Sequence, residues 1–307
     1  MSTDTVLAGA SAPAAGRRRS KKSAPTGPDR IPRRSQGWYR DPLDSKVKLR
    51  SVTTILSQGM PKEALVFWAG NLTAETALDN LPYLVRASLR PEQRAEAYDW
   101  LRRAHTRKKD ARAEIGSAVH KLIEAHVLGQ PVPEELRNDP EVRPYVAHFE
   151  AFVRDWQVTF EASEMVVANY REGYAGTLDY LLRSPLISAA LKAPADAVFM
   201  GDTKTGGELD VKGVYAEAGL QMSAYAHAEI GWLRDGTKVP LPKVHDTGIV
   251  LHLRPEGYRP VPVACGDAEF AAFLHARDIA EFQRTTAKGV VGDALTLPTT
   301  SHEERAA

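Results

Sequence analysis

The sequence predicts an α/β fold that carries helical additions on its N-terminal side. Up to Trp156 the apolar residues recur at helical spacing; beyond it come short segments rich in Val, Tyr, Phe and Thr, separated by turn-like pieces. Helical and strand patterns then alternate, as in layered α/β domains. The 307 residues can bury a sizeable core as one large domain or two ordinary ones. A content of 43% hydrophobic and 26% charged residues matches a soluble globular chain.

Taken in order, residues 1–36 read as a disordered basic tail, rich in Ala, Ser, Pro, Gly and Arg and without apolar periodicity. Arg17, Arg18, Arg19, Lys21, Lys22, Arg30, Arg33 and Arg34 face only Asp4 and Asp29, a local excess of +6 that leaves −5 on the remainder of a chain whose net charge is +1. The tail fits an electrostatic arm for nucleic acid and a solvated extension equally well. No apolar stretch follows the basic cluster, which argues against a secretory signal. Its Arg, Ser and Ala content also suits a mitochondrial transit peptide, although no amphipathic helix is visible. Order is expected from about "GWYRDP". "SVTTIL" reads as a capped entry to a helix starting near Pro61. Two helical pieces, 90–114 and 115–129, follow; the second, "IGSAVHKLIEAHVLG", stops at Gly129. "QPVPEELRNDP" is a loop and "EVRPYVAHFEAFVRDW" an amphipathic helix.

The strand region begins with "TFEASEMVVANY", "YAGTLDYLLR" and "AVFMGDTKT". A helix is expected over "VYAEAGLQMSAYAHAEIGWLRDG", ending at Gly236. Strands "DTGIVLHLRP" and "GYRPVPVA" and a closing helix "DAEFAAFLHARDIAEFQRTTA" complete the core, and 289–307 read as a flexible tail. The ordered part divides into a helical portion, 37–115, and a core, 116–288.

Several classes are excluded. No apolar run approaches the ~18–20 residues of a membrane span. The single cysteine, Cys265, rules out an intrachain disulfide, a cysteine-built zinc site and an iron–sulfur cluster within one chain, and points to a reducing cytoplasm. No Walker A sequence is present, so no nucleotide cofactor is expected; "GWLRDGTK" has Gly-Thr-Lys where Gly-Lys-Ser/Thr is required.

Asp-x-Lys occurs at Asp44, Asp202 and Asp210. Asp44 has no apolar strand ahead of it, and Asp210 follows two glycines as a helix cap would. Asp202 ends an apolar strand, where α/β sheets place their sites. One carboxylate does not make a cation site. Asp179, on the preceding strand beside small residues that let a ligand approach, is the second, because neighbouring strands lie about 4.8 Å apart. His120 has Gly116 four residues before it, a point of close backbone approach. Gln221 and Tyr225 share a helix face. The run Arg102, Arg103, Arg107, Lys108, Lys109 and Arg112 reads as a solvated helix face or as the wall of a channel for a nucleic-acid backbone.

The ordered set Gly-x-x-x-His, Gly-x-x-Asp, Asp-x-Lys, Gln-x-x-x-Tyr, with "SVTTIL" before a Trp-bearing helix, resembles the RecB-type branch of the PD-(D/E)XK nuclease superfamily over about residues 50–265. It is most similar to stand-alone exonucleases of phage and mitochondrial genome-maintenance type. The resemblance implies a restriction-endonuclease-like core, a mixed central sheet flanked by helices. It implies that His120, Asp179, Asp202 and the Thr203 carbonyl bind one or two Mg²⁺ or Mn²⁺ ions. Lys204 would orient or activate the attacking water and offset phosphate charge, and Gln221 and Tyr225 would position the site or the strand. Glu164 would match the family's additional acid, with Glu161 competing for that place. The Pro of the family name is Leu178 here. The implied function is a metal-dependent DNA exonuclease of recombination, repair or replication in a bacterial or phage-infected cytoplasm, with DNA and a strand-annealing protein as partners. A structure-specific endonuclease and a non-catalytic nucleic-acid-binding protein on a degenerate nuclease fold are the alternatives.

Overall fold

The computed structural model describes residues 31–44, 46–60, 62–206, 209 and 213–296. Three short strands open it: β1 (Arg34–Ser35), β2 (Trp38–Arg40) and β3 (Lys48–Ser51). The helical portion comprises α1 (Val52–Gly59), α2 (Glu63–Asp79), α3 (Leu81–Ser88), α4 (Pro91–Arg102), α5 (Ala104–Val127), α6 (Glu134–Arg137) and α7 (Arg143–Asp155). Then come β4 (Thr159–Asn169), β5 (Tyr174–Arg183), α8 (Pro185–Leu191), β6 (Phe199–Lys204), α9 (Glu217–Ala226), β7 (Ile230–Trp232) and β8 (Lys238–Pro240). The strands β9 (Thr247–Arg254) and β10 (Gly257–Ala264) and the helix α10 (Asp267–Arg284) close the fold, with one 3-10 turn after them. None of the described helices is long and apolar enough to cross a membrane.

The strands form one mixed sheet between helical layers. β5 lies centrally, antiparallel to β4 and β6 and parallel to β3, while β6 and β9 run parallel. One face is covered by α1, α9 and α10 around Ile55, Leu56, Met222 and Phe273. The other is covered by α5 and α7 around Val119, Leu122, Phe149 and Phe152. Alternation along β9 explains the division: Ile249, Leu251 and Leu253 pack under α5 and α7, and Val250 packs on the opposite face.

The strands expected at 159–170, 174–183 and 197–205, the last two strands and the closing helix all form near their expected places. Three differences have local causes. The helix expected from about Pro61, which lies outside the described residues, is α2, which starts at Glu63, but a separate helix, α1, already forms over Val52–Gly59 where only a capped entry was expected. Ser51, extended at φ −68° and ψ 129°, leads directly into α1. The break in the basic helical stretch falls at Arg103, so Ala104–Val127 is one continuous helix and carries the cations and His120 together. The helix expected to run to Gly236 stops at Ala226. Ile230–Trp232 instead pairs with the edge of β4 and buries Trp232, and Gly236, at φ +88°, turns the chain into β8. Asp210, expected to cap a helix, lies outside the described residues, and α9 begins only at Glu217. The helix α8 had a readable signal: Pro185 at its first turn and Ser184 accepting the Ile187 amide at 3.0 Å.

Two glycines serve as slots for rings. A Cβ at Gly201 would lie 2.0 Å from Tyr180 Cε2, and one at Gly176 would lie 2.3 Å from Tyr225 Cε1. Tyr180 is fully buried, and its hydroxyl is 3.1 Å from Thr203 Oγ1. Gly201→Ala therefore sets a modest gain in strand rigidity against forced displacement of a core ring. The ring wins, and the variant is expected to lose about 2–3 kcal/mol of stability. A chemical denaturation curve with a lowered midpoint and an unchanged slope shows this; a midpoint equal to wild type means the Tyr180 ring is free to move aside.

Candidate metal centre

Three elements converge on one point. On α5, Arg112, Gly116 and His120 follow one another at four-residue spacing and share a face. Gly116 is the point of closest approach, since a Cβ there would meet Thr205 Oγ1 at 3.2 Å. The helix thus crosses the end of β6 and delivers His120 to the strands. Between β4 and β5, Ser163 pairs with Tyr180 and Met165 with Leu178, which sets Glu164 opposite Asp179.

The sheet is irregular where these two acids face each other. Glu164 has φ +49°, a left-handed conformation in mid-strand that costs a non-glycine residue about 1–2 kcal/mol. On β5 the alternation slips at the same level: Leu178 belongs to the core under α1 and α9, and Tyr180 to the core under α5 and α7. Both carboxylates are thereby turned toward His120. Its Nδ1 is 3.6 Å from Glu164 Oε1 and 3.7 Å from Asp179 Oδ2. One ligand atom from each of the three residues lies within 4.8 Å of the others, an arrangement that could hold a metal ion. The two separations from His120 fall within the ~4.2 Å that two ligands at about 2.1 Å from a common ion can span.

The pair from "GDTKTGG" sits beside this cluster. Asp179 Oδ2 accepts the Thr203 amide at 2.7 Å, which locks β5 to β6. The Asp202 carboxylate is buried; its Oδ1 accepts from Lys204 Nζ at 2.9 Å and from Gln221 Nε2 at 3.2 Å. Its Oδ2 lies 2.7 Å from Lys204 Nζ yet is not aligned for a hydrogen bond. Asp202 thus has a charge partner and one buried oxygen open to a further ligand.

The electrostatics show a site short of positive charge. Burial pushes Asp179 above the usual carboxylate range, with His120, Lys204 and the Thr203 amide only partly opposing it. Burial, aided by Asp179, pushes Asp202 up to about 6 despite the Lys204 ammonium. Burial works against a charge on His120, but Glu164 and Asp179 overcome it and raise the imidazole to about 9. Burial likewise opposes the Lys204 charge, and Asp202 and Asp179 outweigh it, so its pKa stands above the ordinary lysine value. Imidazole nitrogen and carboxylate oxygens suit a divalent cation, and the orphaned Asp202 Oδ2 and the crowded acids fit one.

The other expected residues are distributed as follows. Glu164, not Glu161, joins the cluster; Glu161 stands at a bulge in β4 and pairs with Arg183 at 2.6 Å. Asp202 and Thr203 adjoin the three clustered residues without being among them. Tyr225 is 3% exposed and fills the Gly176 slot, so the small residue before Asp179 accommodates a ring rather than a ligand. Asp44 closes a local turn by accepting the Lys46 amide at 3.0 Å. The Gly206 carbonyl lies 2.8 Å from His252 Nε2, and Gly207 lies outside the described residues.

A cleft of about 460 Å³ opens over the cluster, lined by Arg112, Ser117, Lys121, Thr205 and the three clustered residues among others. Of the six cations in the basic run, Arg112 is the one on this lining. Arg102 and Arg103 pair with Asp99 at 2.7 and 3.0 Å, and Arg107 lies over the Trp100 ring at 4.9 Å. Half of the run is thus occupied within its own helices, and Arg112 alone of the six lines the cleft. Four-residue spacing from His120 is the signal that identifies Arg112 and Glu124 as cleft residues.

The strain at Glu164 can be isolated with two variants that both lack the carboxylate. Glu164→Gly is expected to be more stable than Glu164→Ala by about 1 kcal/mol, because only glycine accepts φ +49° without cost. Equal melting temperatures for the two variants would show that the strand relaxes once the acid is gone.

No family model matches the chain, and no curated protein matches it. Among solved structures, one described as "Crystal structure of SSO0001" is 11% identical and is matched over 55% of this chain and 85% of its own length, with a TM-score of 0.28. That score is too low for the likeness to bear on fold or function. Both are therefore read from the residues: a mixed sheet between helical layers, with a cluster on one face that can take a cation.

Proposed function

We propose that the protein is a divalent-cation-dependent nuclease that hydrolyses DNA phosphodiester bonds from strand ends, in recombination, repair or replication. The observation that carries this reading is the cluster of His120, Glu164 and Asp179 on the lining of one open cleft, with the Asp202–Lys204 pair beside it on the neighbouring strand. The sequence likeness to RecB-type nucleases supports the same reading. His120, Glu164 and Asp179 hold Mg²⁺ or Mn²⁺, with Asp202 Oδ2 available to a second ion or a rearranged first one. Bound there, the ion supplies Lewis acidity to a phosphoryl oxygen and makes a neighbouring water more acidic.

The chain's own groups do the rest. Asp202 keeps Lys204 as an ammonium, so Lys204 serves as a fixed positive charge toward the phosphate and orients the water without taking its proton. Gln221 holds Asp202 in place, and Tyr225 beneath Gly176 anchors the helix that carries Gln221. The Thr203 amide fixes Asp179, so the positions of two strands set the spacing of the acids.

End-labelled linear duplex, single-stranded and circular DNA, incubated with Mg²⁺ or Mn²⁺ and with a chelator, test the proposal. Release of nucleotides from linear substrates, with circles spared and no reaction in chelator, is expected. Cleavage of circles replaces the exonuclease with an endonuclease, and cleavage in chelator or of no substrate at all overturns the reading.

A further inference from the structure

We infer that Arg112 binds a backbone phosphate of the nucleic-acid strand, one that lies beyond the reacting phosphate along the cleft. The inference rests on the nuclease reading and adds to it a direction for the strand. Arg112 shares a face of α5 with His120 and stands eight residues before it, a rise of about 12 Å along the helix. That distance is too long for the reacting phosphate at the ion cluster. Gly116, between them, presents no side chain and packs against Thr205, so nothing on that stripe separates the two positions.

Within the basic run, Arg112 is the one cation that combines an uncommitted charge with a place on the cleft lining. Arg102 and Arg103 are held by Asp99, and Arg107 by the Trp100 ring and carbonyl. Arg254, at the same end of β6, donates to the Thr205 carbonyl at 2.7 Å and lies 3.5 Å from Glu256. At the far end of the cleft Glu124 is neutralised by Arg234 at 2.5 Å. Arg112 makes no ion pair among the described residues, is exposed, and lines the cleft. The acids of the cluster repel polyanions until a cation is bound, whereas an unpaired guanidinium on the same cleft attracts them and offers the bidentate donor geometry that phosphate accepts.

The test is the salt dependence of binding to a fluorescein-labelled phosphorothioate oligothymidylate, read by anisotropy in Ca²⁺ at about 50 to 200 mM salt. Wild type, Arg112→Ala, Arg112→Lys and Arg103→Ala are compared, with circular dichroism confirming the fold. Arg112→Ala is expected to reduce the slope of log affinity against log salt by about 0.7, the loss of one phosphate contact on a single strand. Arg112→Lys and Arg103→Ala are expected to keep the wild-type slope. A wild-type slope in Arg112→Ala, with wild type binding normally, overturns the inference and leaves the nuclease reading standing. Absence of salt-dependent binding by wild type overturns both.

Discussion

Asp179→Asn is expected to remain folded, to lose the stabilisation that a divalent cation confers, and to lower hydrolysis by at least about 10²–10³-fold, the scale on which one aligned charge counts in a reaction of this kind. The substitution is close to isosteric, and an amide oxygen can still accept the Thr203 amide that Asp179 accepts at 2.7 Å. The coupling between β5 and β6 is therefore kept while one ligand charge is removed. Because burial already holds the Asp179 carboxylate above its usual range, the ion-free variant should melt no lower than the ion-free wild type. Wild type at a cation concentration of about 100 times its dissociation constant gains about 2.7 kcal/mol, and the variant gains close to none. Thermal melts with and without Mn²⁺ measure this, and an undiminished Mn²⁺ shift in Asp179→Asn would remove Asp179 from the cation site.

Lys204→Ala separates charge stabilisation from cation binding. Lys204 is not among the clustered ligands, so Mn²⁺ is expected to bind at least as well once a neighbouring positive charge is gone. Hydrolysis is expected to fall about 10²–10³-fold, while binding of DNA persists. Stability falls as well, because the buried Asp202 loses its counter-charge and keeps only Gln221. The loss is expected near the lower end for a broken buried pair, about 3 kcal/mol, since Lys204 is itself 37% exposed and Asp202 can take up a proton near pH 6. Adding Asp202→Asn removes the unpaired charge and should restore most of the stability but none of the rate. Chemical denaturation and single-turnover cleavage read the two effects separately. Full activity in Lys204→Ala would contradict the role assigned to it.

Much of this architecture was legible because it follows from local pattern. Alternation at 159–169 and 174–183 and the apolar run before Asp202 place the central strands, and neighbouring strands then bring Asp179 and Asp202 to the same level. Gly116 before His120 marks a close approach that the Thr205 contact explains. What periodicity does not carry is the irregularity. Whether Glu161 or Glu164 faces the site depends on a bulge at one and a left-handed residue at the other, and both features arise from pairing between strands. The strand at Ile230–Trp232 is likewise decided by the free edge of β4 rather than by the helix-favouring residues around it. The cations of the basic run look alike in sequence; partners, Asp99 and Trp100, set Arg102, Arg103 and Arg107 apart from Arg112, and position off the cleft lining sets Lys108 and Lys109 apart.

The most direct test of the central claim is to titrate the wild-type protein with Mn²⁺ and follow, in the same samples, cation binding by calorimetry and cleavage of end-labelled linear DNA. The His120, Glu164 and Asp179 cluster predicts that cleavage is absent in chelator and rises in step with occupancy, and that both are lost in Asp179→Asn. Cleavage that persists in chelator, or Mn²⁺ binding of wild-type strength in Asp179→Asn, would contradict it.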